Sequence, residues 1–209
     1  MSLSGGDVSP PNKKLSDETL MLRTGQGDRG AFDEIVRRYS SRMVNLAYQM
    51  TGDSELAQDI AQETFYRAYR SAGTYKRIAK FSTWLYTIAI NLCRNELRRR
   101  KYKFSSLEEM AERGEESRVR IDIVDEKARP DKDVEQSELN KLIKKAIGQL
   151  PEKFRRPMIL RDIQGLSYEE TGEILNLPEG TVKSRINRAR ARVRQMLEPY
   201  VEQRHLGED

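Results

Sequence analysis

Two residue types that carry much of protein chemistry are almost missing from this 209-residue chain, which has one cysteine (Cys93) and one histidine (His205). A single cysteine excludes an intramolecular disulfide and any multi-cysteine metal site. The lone histidine lies in a polar C-terminal tail, where a solvated side chain is expected. There is no phosphate-binding glycine loop, no nucleophile with a partner base and no metal-ligand spacing. An enzyme is therefore not expected, nor a cofactor, a metal or a small-molecule substrate. No apolar run approaches membrane-spanning length. The opening segment MSLSGGDVSPPNKK lacks the apolar stretch of a signal peptide. These absences predict a soluble, cytoplasmic protein with no direct membrane insertion. Strand-like alternation and internal repeats are missing as well, so the expected fold class is all-α.

What is present is charge, unevenly placed. The formal net charge is +5. Phe104 to Glu135 holds 11 acidic and 6 basic residues, so that stretch carries −5 and the remainder +10. Two basic blocks flanking an acidic middle suggest separate nucleic-acid-facing modules joined by a segment of opposite sign.

The apolar pattern divides the chain in the same way. Residues 1–14, rich in Ser, Gly and Pro, read as a disordered tail. From Leu15 to Tyr102 the pattern is helical, with breaks near Gly25–Gly30, Gly52–Asp53 and Gly73–Lys80. Phe32, Ile35, Val36, Tyr39, Met43, Leu46, Ala47 and Met50 share one helix face. Leu56, Ala57, Ile60, Ala61, Thr64, Phe65 and Ala68 share a second. Phe81, Leu85, Ile88, Ala89, Leu92 and Cys93 share a third, where Cys93 suits a small core position. The acidic stretch, with Gly114 and Pro130, reads as a mobile linker. Leu139 to Leu197 is helical again, broken at Gly148–Pro151 and Asn176–Gly180. Two small all-α domains, 15–103 and 136–199, are expected on a linker of 104–135, with a tail of 200–209.

Within the second domain, Leu166 to Val193 reads as helix, tight turn, basic helix. Ser167 is placed to cap the first helix, with Glu170 three residues on. Gly172 is small enough for two helices to cross closely. Asn176, Pro178 and Gly180 break the chain, and Thr181 is expected to cap the second helix. There Val182, Ile186, Ala189, Val193 and Met196 form an apolar stripe. Lys183, Arg190 and Arg194 flank it on one side and Arg185, Arg188 and Arg192 on the other. Ser184, Asn187 and Ala191 point away from it, and no acidic residue lies between Thr181 and Leu197. A helix-turn-helix places such a second helix in the DNA major groove.

The third helix of the first domain has a comparable polar face. Thr87, Asn91, Arg94, Arg98 and Lys101 recur at helical spacing opposite the apolar stripe. A helix C-terminus favours a cation or two through its dipole, but that does not account for a basic row reaching back to Arg94. Tyr75, Phe81, Trp84 and Tyr86 cluster just upstream, Phe81 on the core side and Trp84 at the edge of the apolar face. Aromatic rings beside cations are what single-stranded nucleic acid binds. These residues alone leave open a conventional helix-turn-helix regulator with a dimeric operator, or an RNA-binding module.

The segments AQDIAQETFYRAYRSAGTY, KFSTWLYTIAINLCRNELRRRKYK and LPEKFRRPMILRDIQGLSYEETGEILNLPEGTVKSRINRARARVRQML together resemble, in order and spacing, successive blocks of bacterial RNA polymerase sigma factors. The resemblance is to the small two-domain, extracytoplasmic-function class and spans about Leu15 to Leu197. It implies that the first domain binds the clamp of core RNA polymerase and recognises the promoter minus-ten element as it melts. The second domain is implied to read the minus-thirty-five element, with the linker running through the cleft. Promoter DNA, core RNA polymerase and an anti-sigma factor are the partners implied. Asp59, Gln62 and Glu63 match the polymerase-binding face, which reads as acidic and unpaired. Lys80, Trp84, Thr87, Asn91, Arg94, Arg98 and Lys101 fall on the minus-ten surface. Thr181, Lys183, Ser184, Arg185, Asn187 and Arg188 fall on the minus-thirty-five helix. The loop before TWLY departs from the family. Many relatives have a Gly- and Asp-containing loop that holds a flipped-out base where this chain has Arg77-Ile78-Ala79-Lys80, so the resemblance does not imply which base this loop selects.

Overall fold

The computed structural model describes residues 15–111 and 134–205. They form eight α-helices in chain order: α1 (Asp17–Gly25), α2 (Arg29–Thr51), α3 (Ser54–Arg70), α4 (Phe81–Ala111), α5 (Val134–Gly148), α6 (Glu152–Met158), α7 (Tyr168–Leu175) and α8 (Glu179–His205). A 3₁₀ turn spans Ala72–Thr74, and a π turn, Ile159–Ile163, follows α6. No strand occurs among the described residues. The N-terminal tail, the middle of the acidic stretch and the His205 side chain lie outside the described residues. Helical backbone runs into the range read as linker, since α4 continues to Ala111. No Gly or Pro interrupts Phe104–Ala111, and the first breaker in that direction is Gly114.

Helix starts follow local chemistry. Ser16, Asp28 and Asp53 each accept a backbone N–H three residues on, at 3.2, 3.1 and 3.0 Å. Gly52 (φ 73°) ends α2 in the left-handed conformation and Asp53 caps α3 at once, so two long helices turn back on each other with no loop between them. Their facing stripes, with that of α4, make the first core. Ile35, Met43, Leu46, Ala57, Phe81, Leu85 and Cys93 have essentially no exposed area. Burial pushes the Cys93 thiol up to about 12, which leaves it protonated and unreactive at neutral pH.

Short helix α1 is pinned to this core by polar contacts. Asp17 accepts from Arg38 and from the Tyr39 hydroxyl, both at 2.6 Å. Glu18 accepts the backbone N–H of Phe81 at 3.0 Å, which satisfies a donor at the start of α4 and draws the Glu18 carboxyl below its ordinary pKa.

The second half packs α5 and α6 against α8, and Phe154, Met158, Ile159, Leu160, Val182, Ile186, Ala189 and Val193 are all buried. Just past the π turn Gly165 is left-handed (φ 76°), and the Leu166 N–H reaches back to the Leu160 carbonyl at 3.1 Å. The two halves also touch, an arrangement that the reading of separate domains did not anticipate. Helix α7 lies on α4, and the Tyr86 hydroxyl donates to Gln164 Oε1 at 3.1 Å. Gln164 Nε2 in turn donates to Asn45 at 3.2 Å.

Candidate nucleic-acid interface

The helix-turn-helix is built from α7 and α8. Ser167 accepts from the Glu170 N–H at 3.0 Å, and the Glu170 carboxylate accepts from the Ser167 N–H at 2.8 Å. This reciprocal cap is the one expected from sequence. Asn176 takes the left-handed conformation (φ 52°) and ends α7. Two details differ from expectation. Thr181 does not cap α8. The helix begins at Glu179, and the Pro178 carbonyl accepts from the amides of Thr181 and Val182 at 2.9 and 3.1 Å. Thr181 therefore sits inside the first turn, because Pro178 supplies the stop and α8 starts right after it. Gly172 makes room chiefly for the turn. A Cβ on Gly172 would lie 2.7 Å from the Leu177 carbonyl oxygen, with the nearest atom of α8, on Val182, at 3.8 Å.

Gly172→Ala is accordingly expected to destabilise the protein. Alanine gains helix propensity of about 1 kcal/mol, but overpacking against backbone costs roughly 1–3 kcal/mol. The expected result is a melting temperature lower by a few degrees; an unchanged or raised melting temperature would show that the turn yields.

On α8 the apolar stripe is as expected, with Val182, Ile186 and Ala189 fully buried. Its two cationic flanks differ in a way the sequence does not reveal. On one flank Lys183 pairs with Glu179 at 2.6 Å and lies over the Tyr168 ring. Arg190 makes a two-pronged pair with Asp162 at 2.9 and 2.6 Å, which raises its pKa. On the other flank Arg192 lies over the Phe154 ring at 4.8 Å. Arg185 and Arg188 have no carboxylate partner among the described residues. Between the flanks Ser184 bonds the Thr181 carbonyl at 3.0 Å, and Asn187 is exposed. The leading half of α8 thus presents Arg185, Arg188 and Asn187 to solvent with no internal obligation.

The α4 surface divides in the same manner. Arg99 is held by Glu96 at 2.7 Å and Arg100 by Asp53 at 2.9 Å, so two of the four consecutive cations serve the fold. Asn91, Arg94 and Arg98 are exposed, and neither arginine has an ion-pair partner among the described residues. Thr87 is half-buried and returns its hydroxyl to the Thr83 carbonyl at 2.8 Å. Trp84 is half-buried and packs between Tyr75 and Phe81, at centroid distances of 5.3 and 5.7 Å. The Lys101 side chain lies outside the described residues.

The acidic face of α3 is not wholly unpaired, contrary to the sequence reading. Glu63 pairs with Arg67 at 2.6 Å, one turn along the helix. Asp59 and Gln62 are exposed beside it.

Sequence reasoning missed a bond that joins the loop before α4 to the helix-turn-helix. Lys80, in the loop before α4, pairs with Glu170 of α7 at 2.9 Å. The Lys80 pKa is raised and that of Glu170 lowered by this hydrogen bond. Both residues were visible as a loop cation and a capping carboxylate, but no local pattern joins positions 90 residues apart.

Residues 35–102 match the Sigma-70 region 2 family and residues 140–193 the Sigma-70 region 4 family. The ECF RNA polymerase sigma factor SigW of Bacillus subtilis is 41% identical over 173 residues, covering 82% of this chain and 91% of that protein. The RNA polymerase sigma-H factor of Pseudomonas aeruginosa is 36% identical over 185 residues, covering 88% and 95%. The fold is shared with the sigma factor RpoE of Bartonella quintana, solved with the anti-sigma factor NepR. That structure has a TM-score of 0.65 at 22% identity, covering 80% of this chain and 96% of that one. Matches to both halves, in this order and over most of the chain, place the protein among the extracytoplasmic-function RNA polymerase sigma factors.

Proposed function

We propose that this sigma factor divides promoter recognition between its two cationic surfaces. In this reading 15–103 forms the polymerase-docking and minus-ten module, 136–199 forms the minus-thirty-five module, and 104–135 connects them. Asp59, Gln62 and Glu63 meet the polymerase. Asn91, Arg94 and Arg98, with Lys80, Trp84, Thr87 and Lys101, meet the minus-ten element. Arg185, Asn187 and Arg188, with Thr181, Lys183 and Ser184, meet the minus-thirty-five element. The observation that carries this assignment is the sorting of cations. Arginines that serve the fold are paired, while Arg94, Arg98, Arg185 and Arg188 are exposed or half-buried with no internal carboxylate among the described residues. Cations without an internal partner supply salt-dependent affinity for phosphate, and polar groups at the groove supply base choice. No bond is made or broken by the protein, whose part is binding energy set against base unstacking. No described helix is long and apolar enough to cross a membrane, and we place the protein in the cytoplasm, where an anti-sigma protein holds it inactive.

Run-off transcription from a genomic promoter library, with purified core polymerase with and without the protein, tests this reading. Transcripts that require the protein and share a two-element promoter are expected. Absence of initiation, with tight duplex binding by the protein alone, would instead identify a conventional regulator.

A further inference from the structure

Helix α4 runs well past the core it helps to build. Its last buried side chain among the described residues is Cys93, yet the helix continues to Ala111. On this extension the side chains are sorted by partner. Arg99 is held by Glu96 and Arg100 by Asp53, whereas Arg98 is exposed with no ion pair among the described residues. One turn on, Tyr102 is 72% exposed, and its hydroxyl has no hydrogen-bond partner among the described residues. At about 100° per residue Tyr102 falls within roughly 40° of Arg98 and about 20° of Asn91. It therefore extends the row Asn91, Arg94, Arg98, on regular helix rather than on a loose chain end. A large amphipathic side chain is held in water at the far end of a row of unpaired cations.

Dimensions decide what lies under that end. At about 1.5 Å per residue the row from Asn91 to Tyr102 is roughly 16 Å long. A major groove is only about 12 Å wide, so a helix with Asn91 over base edges carries Tyr102 out to the phosphate wall. The aromatic cluster of Tyr75, Phe81 and Trp84 stands at the opposite end of α4 and suits bases as they unstack. The Tyr102 end then lies over DNA that stays paired, between the two promoter elements. A tyrosine offers a hydroxyl for a phosphate oxygen and a ring for the sugar beside it. We propose that Tyr102 is a backbone clamp on the spacer duplex just upstream of the minus-ten element, its hydroxyl donating to a phosphate and Arg98 neutralising a neighbouring one. This rests on the reading of the first half as the minus-ten module. The clamp reads no base, so it adds affinity at every promoter and fixes how far α4 lies along the duplex.

The test uses the full-length protein with core polymerase and two fragments of a promoter recovered by run-off transcription. Both carry a preformed bubble across the minus-ten element and both stop short of the minus-thirty-five element, so α8 contributes to neither. One ends at the upstream edge of the minus-ten element, and the other continues into the spacer for about 10 base pairs, one turn of duplex. The unsubstituted protein should bind the longer fragment more tightly. Tyr102→Ala is expected to weaken binding to the longer fragment about 10-fold, the effect of losing one hydrogen bond to a charged group, and to bind the shorter one as the unsubstituted protein does. Tyr102→Phe, which lacks only the hydroxyl, should lose most of the same factor. An equal loss on both fragments, no loss on the longer one, or full retention by Tyr102→Phe overturns the clamp. A matching loss of affinity for core polymerase without DNA also overturns it, by placing Tyr102 against the enzyme. Failure of the sigma-factor reading looks different, because the unsubstituted protein then directs polymerase to neither fragment.

Discussion

Replacing Arg185 and Arg188 together by alanine should cut initiation roughly 100-fold at promoters that depend on the upstream element, since one good base contact is worth about 1–3 kcal/mol. Binding to core polymerase should be unaffected. The choice of these two residues comes from the partners of the others. Lys183, Arg190 and Arg192 are engaged by Glu179, Asp162 and the Phe154 ring. Removing Arg190 would strand Asp162 and mix a stability effect with any weakening of DNA binding. Arg185 and Arg188 have no such partner among the described residues, so their removal tests recognition alone. The salt dependence of promoter binding should also flatten, by about one unit of slope for each phosphate that is no longer neutralised. Run-off transcription and a core-binding gel shift on the same variant check both halves. Equal loss of polymerase binding would contradict the assignment of α8.

Much of this architecture was readable from periodicity and punctuation. Every apolar stripe proposed from sequence lies on a helix, and Ser167, Glu170 and Asn176 perform the local roles their chemistry suggests. Local rules succeed where the partners are three or four residues apart. They fail where a side chain chooses between near and distant partners. Thr181 is a good cap by type, yet Pro178 ends the turn first and α8 begins before Thr181 is reached. A helix read without its neighbours gives no means of telling the two α8 flanks apart. Asp162 lies 28 residues from Arg190, and only the packing of the π turn against α8 brings them together. The same applies to Lys80 and Glu170. The reading of independent domains followed from the charged stretch between them, which carries no information about whether their surfaces meet.

Glu63→Lys should weaken binding to core polymerase by about 10- to 100-fold, the range expected when a like charge replaces a complementary one at an interface. Base preference at the minus-ten element should not change, because α3 carries none of the residues assigned to DNA. The helix should survive the substitution. Among the described residues Glu63 pairs only along its own helix, with Arg67, and a like-charge pair at this spacing costs about 0.2–0.5 kcal/mol. That intrahelical bond also supplies the control. Arg67→Ala removes the same salt bridge but leaves the Glu63 carboxylate free, so it should preserve or modestly improve affinity if the carboxylate itself meets a basic surface on the polymerase. If Arg67→Ala weakens binding as much as Glu63→Lys, the pair matters as a structural unit and Glu63 is not the contact. Competition against a second sigma factor for core polymerase gives both affinities in one assay. Unchanged competition by Glu63→Lys removes Glu63 from the docking face and leaves Asp59 and Gln62, exposed on the same side of α3, as the residues to substitute next.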